Sequence, residues 1–377
     1  MTTPPKTPPG FAELPALFWP AAAGAAASAA WLGALQREFG FAAAAAGMMA
    51  RPPPDWASPN RVALDLETML LRDFSATEAR GDAVPVLIAA PHAGNSPVLV
   101  DLATGQSLVQ VLLAGGLQRV LVTDWKSASA PMRDLGIDSY LADLNAAVDD
   151  LGGAVNLVGI CQGGWMSAMY AACFPHKVCT LVLAGAPIDL SAGQGKPGML
   201  AHALPLEVYR QLVGWGQGRM SGRYLMESWK SLNPGHYLGR MLELHREFAA
   251  EGDLSRSDAF QRWCDAALDL PGRFYLQVIE QLFQQNLLAE GRFTALGCTL
   301  SLADVTCPAY LLAGEADAIA PAPQVLAAAA LLGTPAAEIV QQTLPTDHLG
   351  LFIGAPALQQ TWPAIARWIA DKGGAGA

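Results

Sequence analysis

The chain has 377 residues, 52% hydrophobic and 15% charged, which excludes disorder over most of its length and suits one large domain or a domain with an insertion. Its 33 acidic and 23 basic residues leave a formal charge of −10, and without a Lys/Arg run to track a phosphate backbone, nucleic acid is not expected as a partner. Six scattered cysteines and no signal-peptide pattern point to a reducing, cytoplasmic compartment rather than a disulfide framework.

Residues 1–58 form a Pro/Ala-rich N-terminal segment. Within it, Ala16 to Gln36 runs without a charge for about the length of a membrane span. Alanine contributes little transfer energy, Pro20 interrupts the run and basic flanks are lacking, so a helix lying on the domain, on a partner or on a hydrophobic surface is expected instead. "RPPPDWASPN" at 51–60 reads as a linker. Short β-rich apolar runs follow at 84–90, 119–124, 155–160, 179–185, 308–314 and 338–344, separated by helical stretches such as 137–151 and 321–333. Such alternation implies a mostly parallel sheet covered on both faces. It stops over 191–302, where aromatic and helical patterns without a clear strand predict a helical cap between core segments 59–190 and 303–377.

The chemistry concentrates at "VNLVGICQGGWM". Gly159, Cys161, Gly163 and Gly164 stand where a buried strand passes into a helix, the context of a nucleophile elbow with cysteine in place of serine. The nucleophile takes a strained conformation there, so small neighbours are needed where strand and helix approach, and the helix N-terminus favours a thiolate. An elbow predicts an acid after a later strand and a histidine after the last. Asp317 in "YLLAGEADAIAP" and His348 in "LPTDHLGLF" occupy those places; Asp304 precedes its strand and Asp347 adjoins the base, so both are weaker acids. His348 would act as general base, with Asp317 fixing its tautomer or assisting a substrate hydroxyl. The backbone N–H of Gln162 and one from "APHAGNS", at His92 or Ala93, would hold an oxyanion.

Bland readings compete with the sharper ones elsewhere. Cys173, His176 and Cys179 have soft-ligand spacing but straddle a helix end and lack an obvious fourth ligand, so core packing is favoured over a metal. "GQGKPG" at 193–198 echoes a phosphate loop, yet Pro197 takes the Ser/Thr position. Trp165, Trp215, Trp229 and Trp263 would line an apolar channel or simply fill the core.

"VNLVGICQGGWMSAMYAACFPHKV" resembles polyhydroxyalkanoate synthases, especially the short ones that work with a second subunit, whose elbow reads G-x-C-x-G-G. The resemblance spans roughly residues 60 to 370 and includes the segment ending in "VTDW", the "WCD" and "QNLLAEG" landmarks and Asp317-Ala318-Ile319. It implies an α/β-hydrolase fold with Cys161 as acyl carrier, His348 as base and Asp317 as the acid that helps activate a 3-hydroxyl. Family members commonly have D-H-I where this chain has Asp317-Ala318-Ile319, and G-H near the base where it has Asp347-His348. "PHAGNS" and "HLGLFIG" also resemble hydrolases, including intracellular polyhydroxyalkanoate depolymerases. The resemblance implies CoA as a substrate carrier with no resident cofactor, and 3-hydroxyacyl-CoA or a polyester chain as ligand. A second copy, a second synthase subunit and a polymer-granule surface are the implied partners. A cysteinyl thioester is close in energy to acyl-CoA and open to attack by an alcohol, so synthesis is expected, with hydrolysis by the same Cys-Asp-His set as alternative. A non-catalytic granule-associated protein is the alternative of another class.

Overall fold

The computed structural model describes residues 54–75, 83–232 and 255–374; the Ala-rich N-terminal segment lies outside them. Eight runs rich in leucine and β-branched residues pair into one sheet: β1 (Arg61–Asp65), β2 (Met69–Asp73), β3 (Val86–Ala89), β4 (Val120–Trp125), β5 (Val155–Ile160), β6 (Val178–Ala184), β7 (Ala309–Gly314) and β8 (Ile339–Leu344). Their order is β1-β2-β4-β3-β5-β6-β7-β8. The pairs from β4 to β8 are all parallel, while β1 with β2 and β2 with β4 are antiparallel. Every residue of β3, β5 and β7 is buried, which is why these strands read as unbroken apolar runs rather than alternations.

The described α-helices of six or more residues are α1 (Leu108–Ala114), α2 (Ile137–Asp150), α3 (Gln162–Cys173), α4 (Lys196–Ala203), α5 (Leu206–Trp215), α6 (Gly222–Leu232), α7 (Ser255–Asp265), α8 (Gly272–Gln277) and α9 (Trp362–Gly373). Period-two alternation divides the core between the two faces of the sheet. Leu87, Leu157, Leu181, Leu183 and Leu311 join residues of α2 and α3 in one cluster, while Val86, Ile88, Val158, Val182 and Leu312 pack with α1 and α9 in the other. The six expected strands are present. The antiparallel pair β1–β2 was not expected, because β1 is almost wholly exposed and carries little apolar alternation.

Between β6 and β7 the described residues are mostly helices and turns, with two short ladders joining Arg219–Met220 to Leu270–Pro271 and Thr294–Ala295 to Cys298–Thr299. "GQGKPG" is no phosphate loop: Lys196 opens α4 with Pro197 in its first turn, where a missing N–H costs nothing. The expected linker is also corrected over its described part. Ser58 is buried, its N–H and Oγ both donate to the Asp101 carboxylate at 2.8 Å, and Trp56 packs 5.2 Å from Phe74. These contacts dock residues 54–60 onto the body.

Candidate active site

At the end of β5 the chain turns sharply into α3, and Cys161 at the turn has φ 52° and ψ −119°. A non-glycine residue there stores about 1–3 kcal/mol of strain, held only because its surroundings over-determine it. Cys161 donates its N–H to Ala184 O on β6 and accepts from the N–H of Gly164, both at 2.9 Å. The three glycines are required by close approach. A Cβ at Gly163 would lie 2.0 Å from Ala89 O, one at Gly164 2.1 Å from Ala186 Cβ, and one at Gly159 2.5 Å from Gly164 Cα.

The other two predicted partners meet at this turn. His348 Nδ1 lies 2.7 Å from Asp317 Oδ2, and both residues are buried. The second carboxylate oxygen of Asp317 accepts backbone N–H groups of Ile319 and Ala320 at 2.8 Å, so the tight turn after β7 fixes the carboxylate before the imidazole docks on it. Burial opposes charge on His348, but the Asp317 carboxylate and the neighbouring Cys161, each also hydrogen-bonded to the ring, raise its pKa well above the ordinary value. Nδ1 is committed to Asp317, which leaves Nε2 for the thiol. Asp347 instead accepts the Gly350 N–H at 2.8 Å, and Asp304 ends a short turn before β7.

The loop after β3 is held at both ends. The Trp125 indole donates to Ala90 O at 2.8 Å and the Ala90 N–H to Thr123 Oγ1 at 3.0 Å. Leu268 N–H reaches Gly94 O at 2.7 Å, and the Trp263 indole reaches Ser96 O at 2.7 Å. His92 is wholly buried among Trp125, Tyr140 and Phe274, with ring centroids 4.8–5.5 Å away. Its Nε2 is 3.0 Å from Tyr140 Oη, its Nδ1 has no hydrogen-bond partner among the described residues, and burial lowers its pKa to about 3. A buried nitrogen left unpaired costs about 1–3 kcal/mol.

Trp165 is buried 6.1 Å from Phe274. Trp263 clamps the loop, Trp215 is 52% exposed and so lines no buried channel, and the Trp229 side chain lies outside the described residues. Cys173, His176 and Cys179 fall at the end of α3, in a turn and on β6. Among the described residues no group of three or more His, Cys, Asp or Glu is placed to hold a metal. Sequence reasoning missed Thr123, Trp125, Tyr140 and Phe274, and it read Trp263 as channel lining or core rather than as a clamp on this loop. The five reach the loop from four separate segments, and "VTDW" and "WCD" carried the signal for three of them.

A family model described as a protein of unknown function (DUF3141) matches residues 135–356. The chain is 30% identical over 329 residues to a poly(3-hydroxyalkanoate) polymerase subunit PhaC of Synechocystis sp., covering 84% of this chain and 85% of that one. Its identity to the protein of the same name from Allochromatium vinosum is 27% over 323 residues, covering 84% and 89%. Among solved structures, an enol-lactonase from Burkholderia xenovorans LB400 superposes with a TM-score of 0.51 at 14% identity, over 83% of this chain and 98% of that one, which shows the α/β-hydrolase fold alone. Over 135–356 the chain carries the DUF3141 pattern, and by its relatives it belongs to the poly(3-hydroxyalkanoate) polymerase family.

Proposed function

We propose that the protein is an acyltransferase that polymerises 3-hydroxyacyl-CoA into polyhydroxyalkanoate through an acyl group carried on Cys161. The observation that carries this reading is the elbow cysteine beside the buried His348–Asp317 pair, in a chain whose relatives are named polymerase subunits. His348 takes the thiol proton, and the thiolate forms a bond to the thioester carbon. The oxyanion rests on the N–H of Gln162 and one from His92 or Ala93. Expulsion of the CoA thiolate, protonated by His348, leaves the acyl-cysteine. The hydroxyl of a second 3-hydroxyacyl group then attacks as His348 removes its proton, and the Cys161 sulfur leaves as the ester forms.

The 191–302 segment serves in this reading as a cap, supported by the contacts that tie Trp263 and Leu268 to the loop after β3. A second copy or a second subunit as partner is supported by the word "subunit" in the relatives' names. A granule surface follows from the insolubility of the polymer. Among the described residues no helix is long and apolar enough to cross a membrane.

Incubation with 3-hydroxybutyryl-CoA tests the reading. Release of CoA with insoluble polymer is expected; CoA with free 3-hydroxy acid and no polymer would make the protein a hydrolase using the same residues. Cys161→Ala should abolish turnover, and a variant that still turns over would displace Cys161 from its role.

A further inference from the structure

The loop between β3 and the turn at Pro97 has firm ends and a soft middle. Trp125 and Thr123 hold Ala90, while Leu268 and Trp263 hold Gly94 and Ser96. Gly94 is anchored through its carbonyl, but at φ +97° and without a side chain it does little to fix the peptide that precedes it. The described tie in that middle stretch is the His92 ring. Its cage also joins the parts of the molecule that must stay in register. Phe274 of α8 touches His92 and stacks on Trp165, four residues past Cys161, and α8 is fastened to the turn before α2 by Phe274 N–H on Leu135 O and to the start of α2 by Ile137 N–H on Gln277 Oε1. A phenylalanine would fill the same space without an orphaned nitrogen. A buried imidazole with one unpaired nitrogen is a standing cost to the fold, of the kind proteins retain at functional sites.

We propose that His92 is a positioning residue for acyl transfer: its neutral ring, bonded to Tyr140 and boxed by Trp125 and Phe274, locks the 92–93 peptide so that its N–H faces the oxyanion opposite Gln162. The inference rests on the reading of Cys161 as acyl carrier and of this loop as its oxyanion loop. The ring touches no reacting atom; it acts through the peptide it holds. Any drift of the loop would be felt at the elbow, since Ala89 O and Ala90 O lie where a Cβ on Gly163 would sit.

The test uses the full chain and three variants, His92→Phe, His92→Gln and Tyr140→Phe. Acylation of Cys161 is followed as the burst from p-nitrophenyl acetate, and turnover as CoA release from 3-hydroxybutyryl-CoA. His92→Phe should lower the acylation rate and kcat by about 10- to 100-fold, part of the ~10²–10³ that loss of an oxyanion donor costs, with KM within about 2-fold and an unchanged or higher unfolding midpoint. Tyr140→Phe should follow in the same direction. His92→Gln, whose amide can meet Tyr140, should recover most of the rate. Wild-type rates in His92→Phe, or equal losses in the Phe and Gln variants with a lower midpoint, would overturn the proposal. Because the burst needs only an activated ester, a protein that acylates normally but releases no CoA would sink the polymerase reading and leave the His92 comparison intact.

Discussion

His348 sits under two opposing influences, and its neighbours decide the balance. Burial alone favours the neutral ring, whereas the Asp317 carboxylate at 2.7 Å and Cys161 favour imidazolium and prevail. Removing the Asp317 charge while keeping its shape should tip that balance back. In Asp317→Asn the His348 titration, read from its imidazole proton resonances, is expected to move down from its raised position. Turnover should fall by about 10²-fold or more, since the ring loses both its charge partner and its enforced tautomer. A midpoint unmoved by the substitution would show that Asp317 does not set the base. The acid could be singled out in sequence because it alone follows β7 at the required distance. The neighbouring Asp347 was ambiguous by letter, and its role as acceptor for the Gly350 N–H needed the structure.

At the scale of elements, the elbow was legible because its constraint is local: strand, one strained residue, helix, with small residues at the crossing. The structure separates glycines that look alike. A methyl at Gly163 would strike the backbone oxygen of Ala89, which cannot step aside, while one at Gly164 would strike only the Cβ of Ala186. Gly163→Ala is therefore expected to cost about 3 kcal/mol or more in urea unfolding, at the upper end of overpacking effects. Gly164→Ala should also destabilise, and adding Ala186→Gly should restore most of the loss by vacating the space. If the pair proved as unstable as Gly164→Ala alone, the crossing would be tight for another reason. What was not legible is tertiary in origin. The His92 cage draws on β4, α2 and α8, and Ser58 finds its acceptor at Asp101, 43 positions on. Neither partnership leaves a periodic trace, which is why a docked segment read as a linker.

For the whole molecule, two buried histidines act on opposite sides of pH 6.5. His348 has a raised folded pKa, so its contribution to stability is fully present below 6.5 and is lost as pH rises through that higher value. His92 has a folded pKa lowered to about 3, so its contribution is present above 6.5 and drains away as pH falls: the unfolded chain takes up a proton that the folded chain refuses. Each pH unit below 6.5 then costs about 1.4 kcal/mol, and about 5 kcal/mol in all by pH 3, a large share of the ~5–15 kcal/mol typical of a folded protein. The groups facing His92 leave this intact, because Tyr140 stays protonated throughout with its own pKa pushed upward by burial and by Asp143, and Trp125 and Phe274 do not titrate. Buried Asp101 and Asp124, whose pKa values burial raises, add acid-side terms of the opposite sign. They are common to wild type and variant and cancel in the difference. Urea unfolding of wild type and His92→Phe between pH 4 and 8 should thus give curves that run parallel above about pH 6.5 and diverge below it, the variant gaining about 1.4 kcal/mol of relative stability per unit. Parallel curves down to pH 4 would mean that His92 can take a proton inside its cage, and the rigid, neutral ring that the loop depends on would have to be abandoned.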